Sequence, residues 1–134
     1  MKKIEHIGIA VKSLETSNTL FSKLFGKPHY KIEDVVSEGV KTSFFQVGEN
    51  KIELLEATNP NSPIAKFIEK KGEGIHHIAF DVADIQLEIA RLKEEGFVVL
   101  NTEPKRGADN KLVAFLHPKS TNGVLIELCQ EIIE

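Results

Sequence analysis

The amino-acid sequence predicts an α+β fold made of two tandem βαβββ modules that form a cupped mixed sheet. Three observations lead there. First, the chain repeats itself: Ile4-Glu5-His6-Ile7-Gly8-Ile9-Ala10-Val11, leading into Ser13-Leu14, returns as Ile75-His76-His77-Ile78-Ala79-Phe80-Asp81-Val82, leading into Asp84-Ile85. His6 and His77 are thus 71 residues apart. Second, Lys51-Ile52-Glu53-Leu54-Leu55 returns as Leu125-Ile126-Glu127-Leu128-Cys129, with Glu53 and Glu127 separated by 74 residues. Third, in each copy the apolar period changes from that of a strand to that of a helix and back.

With 134 residues, the chain has the length of one domain of about 100–200 residues. Its 17 Lys+Arg against 20 Asp+Glu leave a net charge of −3, which argues against nucleic acid as a partner. The 41% hydrophobic content suffices for a core, and no apolar run approaches the ~18–20 residues of a membrane span. Met1-Lys2-Lys3 is followed by Glu5, His6 and Gly8 rather than by a signal-peptide apolar stretch, so the expected compartment is the cytoplasm. A lone cysteine, Cys129, excludes an internal disulfide.

The first strand of each module alternates. His6 shares a face with Gly8 and Ala10, whereas Ile7, Ile9 and Val11 take the other, and the second copy keeps that parity around His77. A helix follows in each module. Leu14, Leu20, Phe21, Leu24 and Phe25 line the first and Ile85, Ile89 and Leu92 the second; Ser13 and Asp84 serve as N-caps, and Gly26 and Gly96 as terminators. Short strands then alternate with turns near Gly39, Gly48-Glu49-Asn50, Gly107 to Asn110, and Thr121-Asn122-Gly123. Ser62-Pro63 opens a linking helix with Ile64, Phe67 and Ile68 on one stripe, which ends at Gly72. Module one therefore spans 1–60, the linking helix 61–72 and module two 73–134 of a single domain. Each module's helix covers one sheet face, and the other is left to line a cleft.

The repeat duplicates one His and one Glu, giving His6, Glu53, His77 and Glu127. Two imidazoles and two carboxylates around one point suit a divalent ion such as Zn, Co, Ni, Mn or Fe. A six-coordinate ion would keep open positions for substrate. A single strand His or Glu is ordinarily structural or solvated; recurrence of Glu between apolar neighbours at the matching place in both copies favours the metal reading. His76 must point away from His77 and reads as structural. His29 and His117 carry no assignment, and Cys129 reads as a small buried hydrophobe. Lys105, Arg106 and Lys111 around one turn, with Lys119 before the last strand, are candidates for a phosphorylated ligand. No Walker loop, G-x-S-x-G elbow, HExxH or CxxC pair is present.

These residues resemble the vicinal oxygen chelate (glyoxalase/bleomycin resistance/dioxygenase) superfamily, over nearly the whole chain. Within it they are most similar to the methylmalonyl-CoA epimerase family. Ser62-Pro63-Ile64-Ala65-Lys66-Phe67, Phe115-Leu116-His117-Pro118-Lys119 and Gly123-Val124-Leu125-Ile126-Glu127-Leu128 carry that likeness. The resemblance implies a glyoxalase-like fold and one divalent metal ion (Co, Zn, Ni or Mn) held by His6, Glu53, His77 and Glu127. It further implies interconversion of the epimers of methylmalonyl-CoA by a 1,1-proton transfer through a metal-stabilised enolate, with Glu127 and Glu53 as the catalytic acid/base carboxylates. Lys105, Arg106 and Lys119 are the expected substrate-binding residues, and a homodimer the expected assembly. The chain departs from that family in two places. Glu53 stands where a glutamine-like neutral ligand is common, and Thr42 where some members place a further acidic base, which leaves Glu53 and Glu38 both open as the second base. The His/Glu/His/Glu set also looks like glyoxalase I (lactoylglutathione lyase), which more often has an Asp-Pro-Asp-Gly type turn where this chain has His117-Pro118-Lys119-Ser120. A metal-free small-molecule binding module is the third alternative.

Overall fold

The structure is a computed structural model, and it describes residues 1–133. Its elements follow the predicted order: β1 (Lys3–Ala10), α1 (Leu14–Phe25), β2 (Lys31–Val35), β3 (Val40–Val47), β4 (Asn50–Ala57), α2 (Pro63–Lys71), β5 (Gly74–Asp81), α3 (Ile85–Glu94), β6 (Lys105–Arg106), β7 (Lys111–Leu116) and β8 (Ile126–Glu131). The chain divides into two compact units, one from His6 to His76, the other joining Met1–Glu5 to the chain from His77 onward. Each is α+β with a mixed sheet. Among the described residues no helix is long and apolar enough to cross a membrane.

In the unit from His6 to His76 the strand order is β2-β3-β4-β1. The hairpins β2/β3 and β3/β4 are antiparallel, and β1 returns parallel to β4. One sheet face and α1 enclose Val11, Leu14, Phe45 and Leu54, with Phe21 and Phe25 packed against them. The opposite face was expected to remain open. Instead α2 covers one end of it, where Ile64, Phe67 and Ile68 pack on Ala10, Val40 and Leu55. The apolar stripe of α2 needs a partner, and the end of the strands away from His6 supplies one. Gly39, at φ 62°, makes the turn that permits this: a Cβ there would come within 2.6 Å of Asn59 Nδ2 and 2.9 Å of Ser62 Cβ, next to the start of α2.

The other unit repeats the plan with the order β5-β8-β7-β6 and β5 parallel to β8. Ile85, Ile89 and Leu92 of α3 pack on Val82, Ala114, Leu116 and Leu128. Burying each such side chain contributes about 1.5–3 kcal/mol. Lys2 N–H donates to Asp81 O at 2.7 Å, and the Met1 ammonium lies 3.3 Å from Glu88. A hydrogen bond from Arg91 and that ammonium hold the Glu88 carboxyl below its ordinary value.

The same device starts the first helix of each module. Ser13 Oγ accepts from Thr16 N–H and Asp84 Oδ1 from Leu87 N–H. The first helical N–H groups, otherwise orphaned, donate to side chains of the last strand of the same module: Leu14 to Glu56 Oε1 at 2.6 Å and Ile85 to Gln130 Oε1 at 2.7 Å. Ser62 Oγ caps α2 by accepting from Ala65 N–H, as Ser62-Pro63 predicts.

The tether of α3 is testable. Gln130→Leu should cost about 1 kcal/mol, the worth of one such hydrogen bond, and lower the melting temperature by about 2–6 °C, whereas Gln130→Glu, which keeps an acceptor oxygen, should melt close to the unsubstituted protein. Thermal denaturation followed by circular dichroism checks both.

Candidate functional site

The parallel pairing of first and last strands joins residues that lie far apart in sequence. In the first-described unit Gly8 is opposite Glu53, and in the other Ala79 is opposite Glu127. In each case a residue two positions after the histidine faces the glutamate, so imidazole and carboxylate become diagonal neighbours on one face. Gly8 and Ala79 are small and leave room beside the carboxylate. On the far side of each glutamate stands a phenylalanine, Phe44 opposite Glu53 and Phe115 opposite Glu127. The Phe115 ring meets His77 edge-on at 6.1 Å.

These placements create two imidazole–carboxylate pairs. His6 Nδ1 lies 3.1 Å from Glu53 Oε2, and His77 Nε2 lies 3.2 Å from Glu127 Oε1. All four residues are buried, at 5%, 4%, 6% and 6% exposure in the order His6, Glu53, His77 and Glu127. Burying a carboxylate costs several kcal/mol unless a cation or good hydrogen bonds compensate. Nitrogen and oxygen donors so arranged suit a borderline or hard divalent ion, and no thiolate competes. Cys129 Sγ instead makes a 3.5 Å contact with Phe80 O, and burial together with the Glu127 charge raises its thiol well above the ordinary value.

The remaining candidates separate by strand parity. His76 does not share the Glu127 contact of His77: its ring packs edge-on against Phe67 of α2 at 5.0 Å. His117 Nδ1 accepts from Lys119 N–H and closes the short turn Pro118–Ser120, leaving the Lys119 side chain exposed. His29 packs on Phe45, and among the described residues its buried Nδ1 has no hydrogen-bond partner. Lys105 is opposite Val113, which is opposite Cys129, so it shares the face of Glu127. Arg106 pairs with Leu112 on the other face and donates to Asn110 Oδ1 at 3.0 Å. Glu38 sits in the turn Val36–Glu38, beyond the part of β3 that α2 covers. Two features escaped the sequence reading. Glu5, next to His6, is itself buried at 4% exposure, and the Phe44/Phe115 pair recurs at the same 71-residue spacing as the histidines. Extending the repeat to every buried position would have found the phenylalanines.

Residues 5–115 match the family model of the Glyoxalase/Bleomycin resistance protein/Dioxygenase superfamily. The chain is 43% identical over 130 residues to the ethylmalonyl-CoA/methylmalonyl-CoA epimerase of Cereibacter sphaeroides, covering 96% of this chain and 97% of that protein. The mitochondrial methylmalonyl-CoA epimerase of Dictyostelium discoideum is 41% identical over 127 residues, which are 94% of this chain and 76% of that one. Among solved structures, a variant of the Streptomyces coelicolor methylmalonyl-CoA epimerase in complex with 2-nitronate-propionyl-CoA superposes with a TM-score of 0.93. Its identity is 34%, with 98% of this chain and 95% of that chain covered.

The thiol environment yields a direct check. Because burial favours the protonated form, Cys129 should resist a disulfide reagent at pH 8 in the folded protein and react completely once guanidinium unfolds it. Ready labelling of the native protein, followed spectrophotometrically, would contradict this packing.

Proposed function

We propose, from the premise that this chain belongs to the Glyoxalase/Bleomycin resistance protein/Dioxygenase superfamily, that it is an epimerase interconverting the two epimers of methylmalonyl-CoA. The observation that carries the reading is the doubled, buried His–Glu pair, in a chain matched over nearly its whole length by relatives that bear the epimerase name. Those relatives give no support to the glyoxalase I alternative, and buried paired carboxylates are a poor lining for a metal-free binding module.

His6, Glu53, His77 and Glu127 would together hold one divalent ion, Co, Zn, Ni or Mn. When bound, that ion supplies Lewis-acid stabilisation of the negative charge that develops on the substrate's thioester oxygen. The chain's own residues do the rest. His6 and His77 would offer nitrogen donors, and Phe44 and Phe115, each opposite one of the glutamates, would make the surroundings of the carboxylates apolar. Glu127 would be the acid/base carboxylate for one face of the α-carbon, and Glu53 remains a candidate for the other. Lys105, on the face of Glu127, and the exposed Lys119 are suited to the phosphates of coenzyme A. Arg106 belongs to that group less directly, since its guanidinium is engaged by Asn110. A homodimer accompanies this reading, on the family resemblance alone.

Incubation with methylmalonyl-CoA in deuterated water should exchange the α-proton, and removal of metal by a chelator should stop the exchange until a divalent ion is restored. His77→Ala should lose metal and activity together, whereas His76→Ala should retain both, as elemental analysis and the exchange assay will report. Glu127→Gln should keep metal but lose at least about 100-fold in turnover, the low end of a general base's contribution. Thioester formation from the methylglyoxal–glutathione adduct, without action on the CoA ester, would overturn the epimerase in favour of the lyase.

A further inference from the structure

On the side of β7 away from β8, two stretches of chain pair with it and leave an interval between them. Toward its C-terminal end, Leu100 N–H donates to Phe115 O at 2.8 Å, Val99 bridges Leu116, and His117 N–H donates to Val98 O at 2.7 Å. Toward its N-terminal end, β6 sets Lys105 opposite Val113 and Arg106 opposite Leu112. Residues 101–104, between the two stretches, belong to no strand, and a bare gap here would leave the Phe115 N–H facing no backbone partner. Asn101 closes the interval with its side chain. Its Oδ1 accepts from Phe115 N–H at 2.9 Å, and its Nδ2 donates to Val113 O and to Glu103 O, each at 3.3 Å. An amide side chain carries the carbonyl and N–H of a peptide group, so Asn101 takes the place of strand backbone on both sides of Ala114.

The other module has no such interval. There Tyr30 N–H donates to Phe44 O at 2.9 Å, as Leu100 does to Phe115 O, but only Lys31 and Ile32 separate Tyr30 from Glu33, which is opposite Thr42. Four residues, 101–104, separate Leu100 from Lys105, which is opposite Val113. The two extra residues lift the chain off the ladder as a bulge does, whereas β2 pairs with β3 without a break from Lys31 to Val35. The interruption falls directly behind Phe115. This residue is opposite Glu127, and its ring meets His77 edge-on at 6.1 Å. The His77–Glu127 pair, at 3.2 Å, therefore packs against a residue whose outer N–H is held by one side chain.

We propose that Asn101 is a positioning residue for the His77–Glu127 pair, acting through Phe115; its consequence for turnover rests on the epimerase reading. While Asn101 holds the Phe115 N–H, the middle of β7 has one place against β8, and the Phe115 ring one place against the imidazole. Without that bond, water takes the N–H and the middle of β7 is free to move relative to Glu127. Misplacement of a reacting group by about 1 Å costs about 100-fold in rate, so a residue remote from the chemistry has leverage on it. The bulge and its amide belong to the module of Glu127 alone, since the module of Glu53 is held by continuous backbone pairing.

Asn101→Leu removes both bonds at similar volume, and Asn101→Asp keeps the acceptor for Phe115 N–H. Gln130→Leu is the matched control, because it removes a side-chain tether to backbone in the same unit but on the α3 side. In Asn101→Leu, α-proton exchange from methylmalonyl-CoA in deuterated water should fall at least about tenfold in kcat with KM within about threefold, and Asn101→Asp should recover part of that loss. Gln130→Leu should melt about as low as Asn101→Leu yet exchange within about threefold of the unsubstituted protein. Nuclear magnetic resonance of the metal-free protein supplies a readout apart from activity: the His77 ring signals should move in Asn101→Leu and stay in Gln130→Leu, and those of His29, in the unit from His6 to His76, should stay in both. Unmoved His77 signals in Asn101→Leu would overturn the assignment, as would a kcat within about threefold of the unsubstituted value or an equal loss of exchange in Gln130→Leu. Asn101→Ala is read in the same way where Asn101→Leu does not fold. Absence of exchange in the unsubstituted protein with every divalent ion tried would sink the epimerase reading alone, since the His77 signals still decide whether Asn101 positions that residue.

Discussion

The parallel closure of each module's last strand on its first is the constraint on which the site depends. It sets Glu53 beside Gly8 and Glu127 beside Ala79, and so brings each carboxylate to the histidine two residues earlier. The resulting imidazole–carboxylate pairs are buried, and apolar residues of similar volume would usually match or exceed a buried polar pair in stability. A fold that needed only a core would gain nothing from making this pair twice. Donors held for a cation would give the pairs a reason to exist, since a bound ion would supply the charge compensation that a lone buried carboxylate lacks.

The last strand of each module also performs a second task, and strand parity keeps the two apart. Glu53 and Leu55 face one side of β4, while Leu54 and Glu56 face α1, whose first N–H is bound by Glu56. In β8, Glu127 and Cys129 face one side while Leu128 and Gln130 face α3, whose first N–H is bound by Gln130. A single strand therefore aims a buried carboxylate, the proposed donor, at one face and anchors the covering helix on the other. A slip of one residue in the pairing would turn the donor into the helix interface and the anchor into the cleft. The position of the donor is in this way locked to the packing of the helix.

Much of this was legible in the sequence because the informative signals are local. Capping residues such as Ser13, Asp84 and Ser62 lie within three residues of the N–H groups they accept from, and the alternation around His6 and His77 needs no knowledge of any neighbour. The two His–Glu pairs could be found because the repeat marked their four residues. What could not be read depends on which residues stand opposite one another across strands. That Arg106 faces away from Glu127 while Lys105 does not, or that Glu33 stands beside Thr42, is a matter of register between segments whose own patterns are weak: β6 has only two residues and β2 alternates only between half-buried and exposed. The cover provided by α2 was hidden for a related reason, because an apolar stripe tells that a helix packs but not where.

Register also shows where the two modules stopped resembling each other. Thr42 and Val113 occupy the same place in the repeat, as do Phe44 and Phe115, and on the strand beyond them Glu33 in one module corresponds to Lys105 in the other. The histidine, the glutamate and the phenylalanine are kept in both copies, while the flanking position carries opposite charge. Duplicated His and Glu donors would suit an ion, but the substrate that the relatives are named for is not symmetrical. An acyl-CoA has a carbon acid at one end and phosphates at the other, and these call for a base and a cation respectively. Opposite charges at this flanking position, with the His–Glu pairs kept in both copies, match the two demands of such a substrate.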